Sequence, residues 1–218
     1  MTMPLLSVLL PVRNGERFLK EALDSVDAQT CESLEVIVVD DGSSDSSARL
    51  AEAHRLSPRV HRQPPRGVPF ALNQAMEMAE GEYVTFIDAD DVWPPDRMAR
   101  LLEGVRGNPE MAGAFGMIVN TDTDLRPIEK PIPARLTTTG VFRRSEMARI
   151  GPFRTDVVHA TQIDWISRAN AEGLRFASVA ELVLLRRVHG QNMGILDRER
   201  AKRDMMIVMR DHGRRTHR

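Results

Sequence analysis

The sequence predicts an α/β domain, a mixed and mainly parallel sheet with helices on both faces. Three apolar runs carry that expectation: residues 5–10 (LLSVLL), 35–39 (EVIVV) and 83–87 (YVTFI). Each is continuous rather than alternating, the pattern of a strand covered on both sides. Between the first two, Phe18, Leu19, Ala22, Leu23 and Val26 recur at helical spacing. Strands separated by helices pair in parallel, and ligands then gather at the carboxyl ends of the strands.

The remaining elements follow from the same periodicities. The serine-rich turn after Asp41 caps a helix running to about residue 54. Residues 68–79 place Ala71, Leu72, Ala75 and Ala79 on one helical face, and residues 95–106 do so with Met98, Leu101, Leu102 and Val105. A strand is expected over 111–119. The stretch 120–139 is polar, holds Pro127, Pro131 and Pro133, and reads as a loop or seam between two halves. A helix at about 161–172, a strand near 179–188 and a helix over about 197–211 complete the order.

Composition narrows the class. The 30 Lys+Arg against 31 Asp+Glu leave a net charge of -1, so nothing demands a nucleic-acid partner. The single cysteine, Cys31, excludes an internal disulfide or a cysteine-based zinc cluster and suits a reducing, cytoplasmic setting. The apolar start of the chain is short, interrupted by Ser7 and ended by Pro11, and reads as a strand rather than a signal or a membrane span. The basic run 210–218 (RDHGRRTHR) reads as a solvated tail, with weak contact to an anionic membrane surface as the lesser reading.

Two acidic clusters stand where strands stop. DDGSSD, residues 40–45, follows EVIVV; an aspartate there can accept hydrogen bonds from a base or ribose, though Asp, Gly and Ser also suit a plain strand-to-helix turn. DADD, residues 88–91, follows YVTFI. Carboxylates packed that closely repel one another unless water or a hard cation such as Mg²⁺ or Mn²⁺ neutralises them. Such a cation keeps coordination places for phosphate oxygens, which fits a diphosphate substrate. Both clusters are expected to open on one crevice.

The succession PVRNG (11–15), VVDDGSSD (38–45), RGVPFALNQA (66–75) and GEYVTFIDADD (81–91) resembles the family 2 inverting glycosyltransferases, which have the GT-A fold. The likeness continues more loosely through TTGVFRRSEMARIGPF (138–153) and RRVHGQN (186–192). The resemblance implies a nucleotide-sugar-binding half over 1–119, an acceptor-side half over 120–196, and a C-terminal helix and basic tail over 197–218. It implies a nucleotide-diphospho-sugar donor, an acceptor it does not identify, and Mn²⁺ or Mg²⁺ as cofactor. Pro11 and Asn14 would shape the first donor-binding turn, with Arg13 a planar cation where many relatives have tyrosine. Asp41 would hold the base, Arg66 would lie near nucleotide or phosphate, and Asn73 is what remains of the usual A-R-N, since Leu72 replaces the arginine. Asp88 would bind ribose or metal-bound water and Asp90 the metal. Arg186 and Arg187 would offset diphosphate charge, and His189 would complete the metal site.

Inverting transfer needs a base for the acceptor's proton. The family often shows Glu-Asp at the start of its acceptor-side helix, whereas this chain reads HATQIDWISRA (159–169). Asp164, the carboxylate of that stretch, is the expected base; helix stabilisation or pairing with Arg168 is its structural alternative. His159 is expected to lie outside the cleft. Trp165 offers a sugar platform, with core packing as the commoner fate. Two rival functions remain. FIDADDV also satisfies the D-x-D-x-V pattern of haloacid-dehalogenase-like phosphatases, with Asp88 as nucleophile, and the missing acidic residue admits a non-catalytic nucleotide-sugar-binding subunit. No G-x-G-x-x-G occurs, which argues against a dinucleotide oxidoreductase.

Overall fold

The computed structural model describes residues 5–31 and 33–216. Eight strands form one sheet: β1 (Leu6–Val12), β2 (Leu34–Asp40), β3 (Arg59–Arg62), β4 (Tyr83–Phe86), β5 (Met111–Thr121), β6 (Ile132–Pro133), β7 (Gly140–Arg143) and β8 (Arg175–Arg187). The order β3-β2-β1-β4 is parallel throughout. Beyond it β7 runs antiparallel to both β4 and β5, while β5 pairs in parallel with β8. One edge of β5 thus carries β7 and then β6, and the other carries β8. The expected seam boundary at residue 119 falls inside β5, a single strand of one continuous sheet.

Side chains alternate across the parallel strands into two cores. Leu6, Val8, Leu10, Val36 and Val38 face α1 (Leu19–Asp27), α2 (Ser47–Glu52) and α4 (Arg97–Arg106). Leu9, Ile37 and Val39 face α3 (Val68–Met78), α5 (Arg144–Ile150) and α6 (Thr161–Ala171). Because every residue of β1 is buried, both faces must be apolar, which is why its sequence shows no alternation. Two further helices, α7 (Met193–Leu196) and α8 (Arg198–Thr216), end the described chain, and α8 packs against α6.

The sheet opens where its connections reverse. From β1 the chain first builds outward to β2 and β3, then returns to the other side for β4. Ile87 donates its N–H to Leu9 O at 3.1 Å. The next rung would need an N–H from residue 11, and Pro11 has none. The β1 and β4 ends therefore part at the switch point where α/β sheets take their ligands.

On the other half, strands approach closely at Gly113. A Cβ there would lie 2.4 Å from Val141 O and 2.8 Å from the Phe142 ring. Gly113→Ala is expected to push β5 and β7 apart at a cost of about 1–3 kcal/mol, the range for overpacking a core. The denaturant midpoint should fall accordingly, and a midpoint equal to the parent's would show that the strands can part without loss.

Candidate functional site

The crevice is built from strand ends. A cavity of about 460 Å³ is lined by Pro11, Arg13, Asp41, Arg66 and Gly67 from the first half and by His159 from the second. Met193, Leu196, Asp197 and Arg200 close its outer side.

Asp41 is the floor of this cavity and is 3% exposed. Its carboxylate accepts from Gln63 Nε2 at 2.7 Å, Arg66 N at 2.8 Å and Gly67 N at 2.8 Å. Gly67 has φ of 104°, a conformation that suits glycine and turns two successive N–H groups onto one carboxylate. A carboxylate offers about four acceptor directions, so about one is left for a ligand. Asn14 takes φ of 52° and accepts Ser44 N at 2.9 Å, locking the turn after β1 to the turn after β2. Arg13 is exposed beside it, and the Arg66 guanidinium lies over the Phe70 ring at 4.2 Å.

The second cluster follows β4, one strand across from β1. Burial, then the charge of Asp90, pushes the Asp88 carboxyl up to about 7, while Arg186 pulls it down. Asp91 is 2% exposed and is pushed well above the usual carboxylate range, chiefly by burial. It accepts the Arg187 N–H at 3.0 Å. Asp90 turns outward, and its Oδ2 lies 3.0 Å from His189 Nε2 and 3.0 Å from Asn192 Nδ2. Asn192 Oδ1 in turn accepts the His189 N–H at 2.6 Å, which shapes the loop presenting the imidazole. Among the described residues no three His, Cys, Asp or Glu side chains gather as a metal-ligating group. Asp90 and His189 instead form an open carboxylate–imidazole pair. The chemistry of these residues fits a divalent ion.

Several sequence expectations change here. Asp164 has no exposed surface: its Oδ2 accepts from Arg168 Nε at 2.8 Å and its Oδ1 stands 3.4 Å from Arg154 Nη1. Arg168 also donates to Ile150 O and Pro152 O, so this carboxylate orders the turn before α6 rather than meeting an acceptor. Trp165 is 1% exposed and packs on Phe142 with ring centroids 5.5 Å apart, the core packing expected as its commoner fate. Asn73 spends its amide on the Phe153 backbone, donating at 2.9 Å and accepting at 2.8 Å, and ties α3 to the second half instead of binding donor. Arg187 is 3% exposed, donating to Asp90 O, Thr123 O and Glu21 Oε2 and lying over Phe18 at 4.3 Å, so it braces the acidic turn from within. Arg186 alone of that pair is exposed.

His159 was expected outside the cleft and instead lines it, with Nε2 3.4 Å from Asp197 Oδ2. Sequence reasoning also passed over Gln63, Gly67 and Asn192. Only Asn192 carried a signal: an Asn three residues after a histidine, able to bond its own loop backbone.

An open α/β sheet with a cavity and an acidic turn at its switch point has the arrangement of a nucleotide-binding domain. The chain belongs to glycosyl transferase family 2, whose profile it matches over residues 7–163. It is 31% identical over 106 residues to the glycosyltransferase GlyG of Streptococcus pneumoniae serotype 4, an alignment covering 47% of this chain and 35% of that protein. The chain thus spans about a third of that relative's length. Among solved structures, the mannosyltransferase PcManGT of Pyrobaculum calidifontis in complex with GDP-Man and Mn²⁺ superposes with a TM-score of 0.74 at 22% identity, covering 98% of this chain and 65% of that one. S. aureus TarS 1-349 in complex with UDP gives 0.73 at 20% identity, over 96% and 64% of the two chains. At such identities these two establish a shared fold.

Removing the negative partner of a buried charge pair strands the cations. Asp164→Asn is expected to cost about 3 kcal/mol, seen as a lower urea midpoint at unchanged slope, with nucleotide binding by the folded protein kept at the parent level. Unchanged stability would return Asp164 to consideration as a functional group.

Proposed function

We propose that this chain transfers a sugar, with inversion, from a nucleotide-diphosphate donor to an acceptor hydroxyl or amine. The observation that carries it is a cavity lined by one strand-end carboxylate, Asp41, with a second acidic cluster of opposite character after β4, the strand next to β1. Asp41 sits buried at the cavity floor, held by three N–H donors with about one acceptor direction left open, as base recognition requires. Asp90 is turned outward with His189 beside it, as metal–diphosphate binding requires. Relatives solved with GDP-Man and Mn²⁺ or with UDP support the same reading.

In this mechanism the base enters against Pro11, Arg13 and the remaining acceptor direction of Asp41. Arg186, the exposed cation whose charge already reaches Asp88 and Asp91, faces the diphosphate charge. A divalent ion held by Asp90 and His189 would supply the Lewis acidity that stabilises the departing nucleotide diphosphate. Arg187 keeps the turn rigid, so that Asp90 needs no reorganisation on binding.

The acceptor's proton needs another home than Asp164. Between residues 159 and 164 only His159 and Asp164 accept a proton readily, and His159 is the one that lines the cavity. It serves as the general base, oriented by Asp197 across 3.4 Å. A phosphatase reading fits less well, because the family profile spans this turn.

Asp90→Ala should abolish the rise in melting temperature that GDP or UDP gives only together with Mn²⁺, since ligand binding stabilises by mass action. Equal Mn²⁺-dependent shifts in parent and variant would remove Asp90 from the metal site. His159→Gln should slow Mn²⁺-dependent release of nucleotide diphosphate from the preferred donor sugar by roughly 10²-fold. A rate near the parent's would place the base elsewhere. A parent that binds donors yet neither transfers nor hydrolyses any would replace the enzyme reading with the non-catalytic one.

A further inference from the structure

The C-terminal helix α8 has two faces. Asp204 and Val208 are 3% and 2% exposed, and Ile207 packs beside Val208 against Val157 and Ala160. Asp204 accepts the His159 N–H at 2.9 Å, and Asp211 pairs with Arg154 at 2.8 Å. Two of the helix's carboxylates are thereby turned toward the protein. The opposite face presents Lys202, Arg203, Met206, Met209 and Arg210, which helical spacing gathers on one side. Met206 and Met209 are 63% and 66% exposed, unusual for large apolar side chains flanked by cations. Glu199, paired with Lys202, is the outward acid. Over residues 198–216 the net charge is +4, although the chain as a whole stands at -1.

Apolar side chains set among Lys and Arg on an exposed helix match the chemistry of an anionic bilayer surface, where methionines enter the headgroup boundary and cations meet lipid phosphates. We propose that α8 docks this protein on anionic membranes through Met206 and Met209, with Lys202, Arg203 and Arg210 on the lipid headgroups. No helix of the described residues is long and apolar enough to span a bilayer. The helix adjoins the cavity's outer side, where Leu196 is 70% and Met193 46% exposed. Docking therefore holds the mouth of the cavity near the lipid. If the sugar transfer proposed above holds, this favours an acceptor carried by the membrane; the docking itself does not depend on that transfer.

Sedimentation of the full chain with phosphatidylcholine vesicles, with and without phosphatidylglycerol, tests the docking. Binding is expected only to the anionic vesicles and should weaken with salt. Lys202→Gln and Arg203→Gln should each weaken it about fivefold, and Met206→Ser with Met209→Ser by about tenfold or more. Mn²⁺-dependent nucleotide binding by the same variants should stay at the parent level, which keeps folding and the donor site separate from the docking readout. Indifference to lipid charge, or binding unchanged by the α8 substitutions, would overturn the proposal. So would a dimer that the methionine substitutions dissociate, since the face would then belong to a second copy of the chain.

Discussion

Three carboxylates within four residues at the end of a buried strand set the terms for the rest of this protein. Burial, and then the charges of the neighbouring carboxylates, raise the proton affinity of Asp88 and Asp91. The fold answers with groups drawn from the end of β8. The Arg187 N–H reaches Asp91, its guanidinium reaches Asp90 O, and His189 with Asn192 reaches the Asp90 carboxylate. The Val92 to Leu185 bridge brings β8 across for this purpose, and Phe18 and Glu21 at α1 complete the seat of the Arg187 side chain. An acidic turn that would otherwise swing toward solvent is held with one carboxylate outward.

The second half is fastened as firmly on the opposite face of the sheet. Phe86 and Phe142 from the strands meet Phe153 and Trp165, with ring centroids 5.5 to 6.4 Å apart. The Asn73 amide adds two hydrogen bonds between α3 and Phe153, and Asp164 gathers Arg154 and Arg168 over the same turn. The crevice wall carrying His159 is thus welded to the strands that carry Asp41 and Asp90. Separation across the cavity is a property of the core, not of a loop.

What could be read beforehand follows from burial. The strands β1, β2 and β4 were legible because burial on both faces leaves continuous apolar runs, and α1, α3, α4 and α6 because one face of each is apolar. The edge strand β3 (RVHR) has exposed ends and no apolar pattern, and β7 (GVFR) is four residues that run straight into α5, too few for a period to show. The acidic clusters announced themselves by composition alone. The pairing of Asp164 with Arg168 was legible from its i,i+4 spacing, but the duties of Asn73 and Arg187 were not, because a side chain's partner is a matter of space. Asn73 meets Phe153 across 80 residues and Arg187 meets Glu21 across 166. His159 was misplaced because nothing in its neighbours reports that α8 folds back to hold its backbone through Asp204.

The pairing of Asp90 with Asn192, 102 residues further on, has a consequence in time. A chain leaving the ribosome at about 5–20 residues per second exposes the acidic turn roughly 5–20 seconds before the residues that hold it emerge. Strands β1 to β4 can pair during that interval, since their partners are already made, but Asp90 has neither imidazole nor amide to meet. The nascent sheet is therefore shaped before its acidic edge is, and Asp90 gains its fixed position only as the loop carrying His189 and Asn192 comes into place.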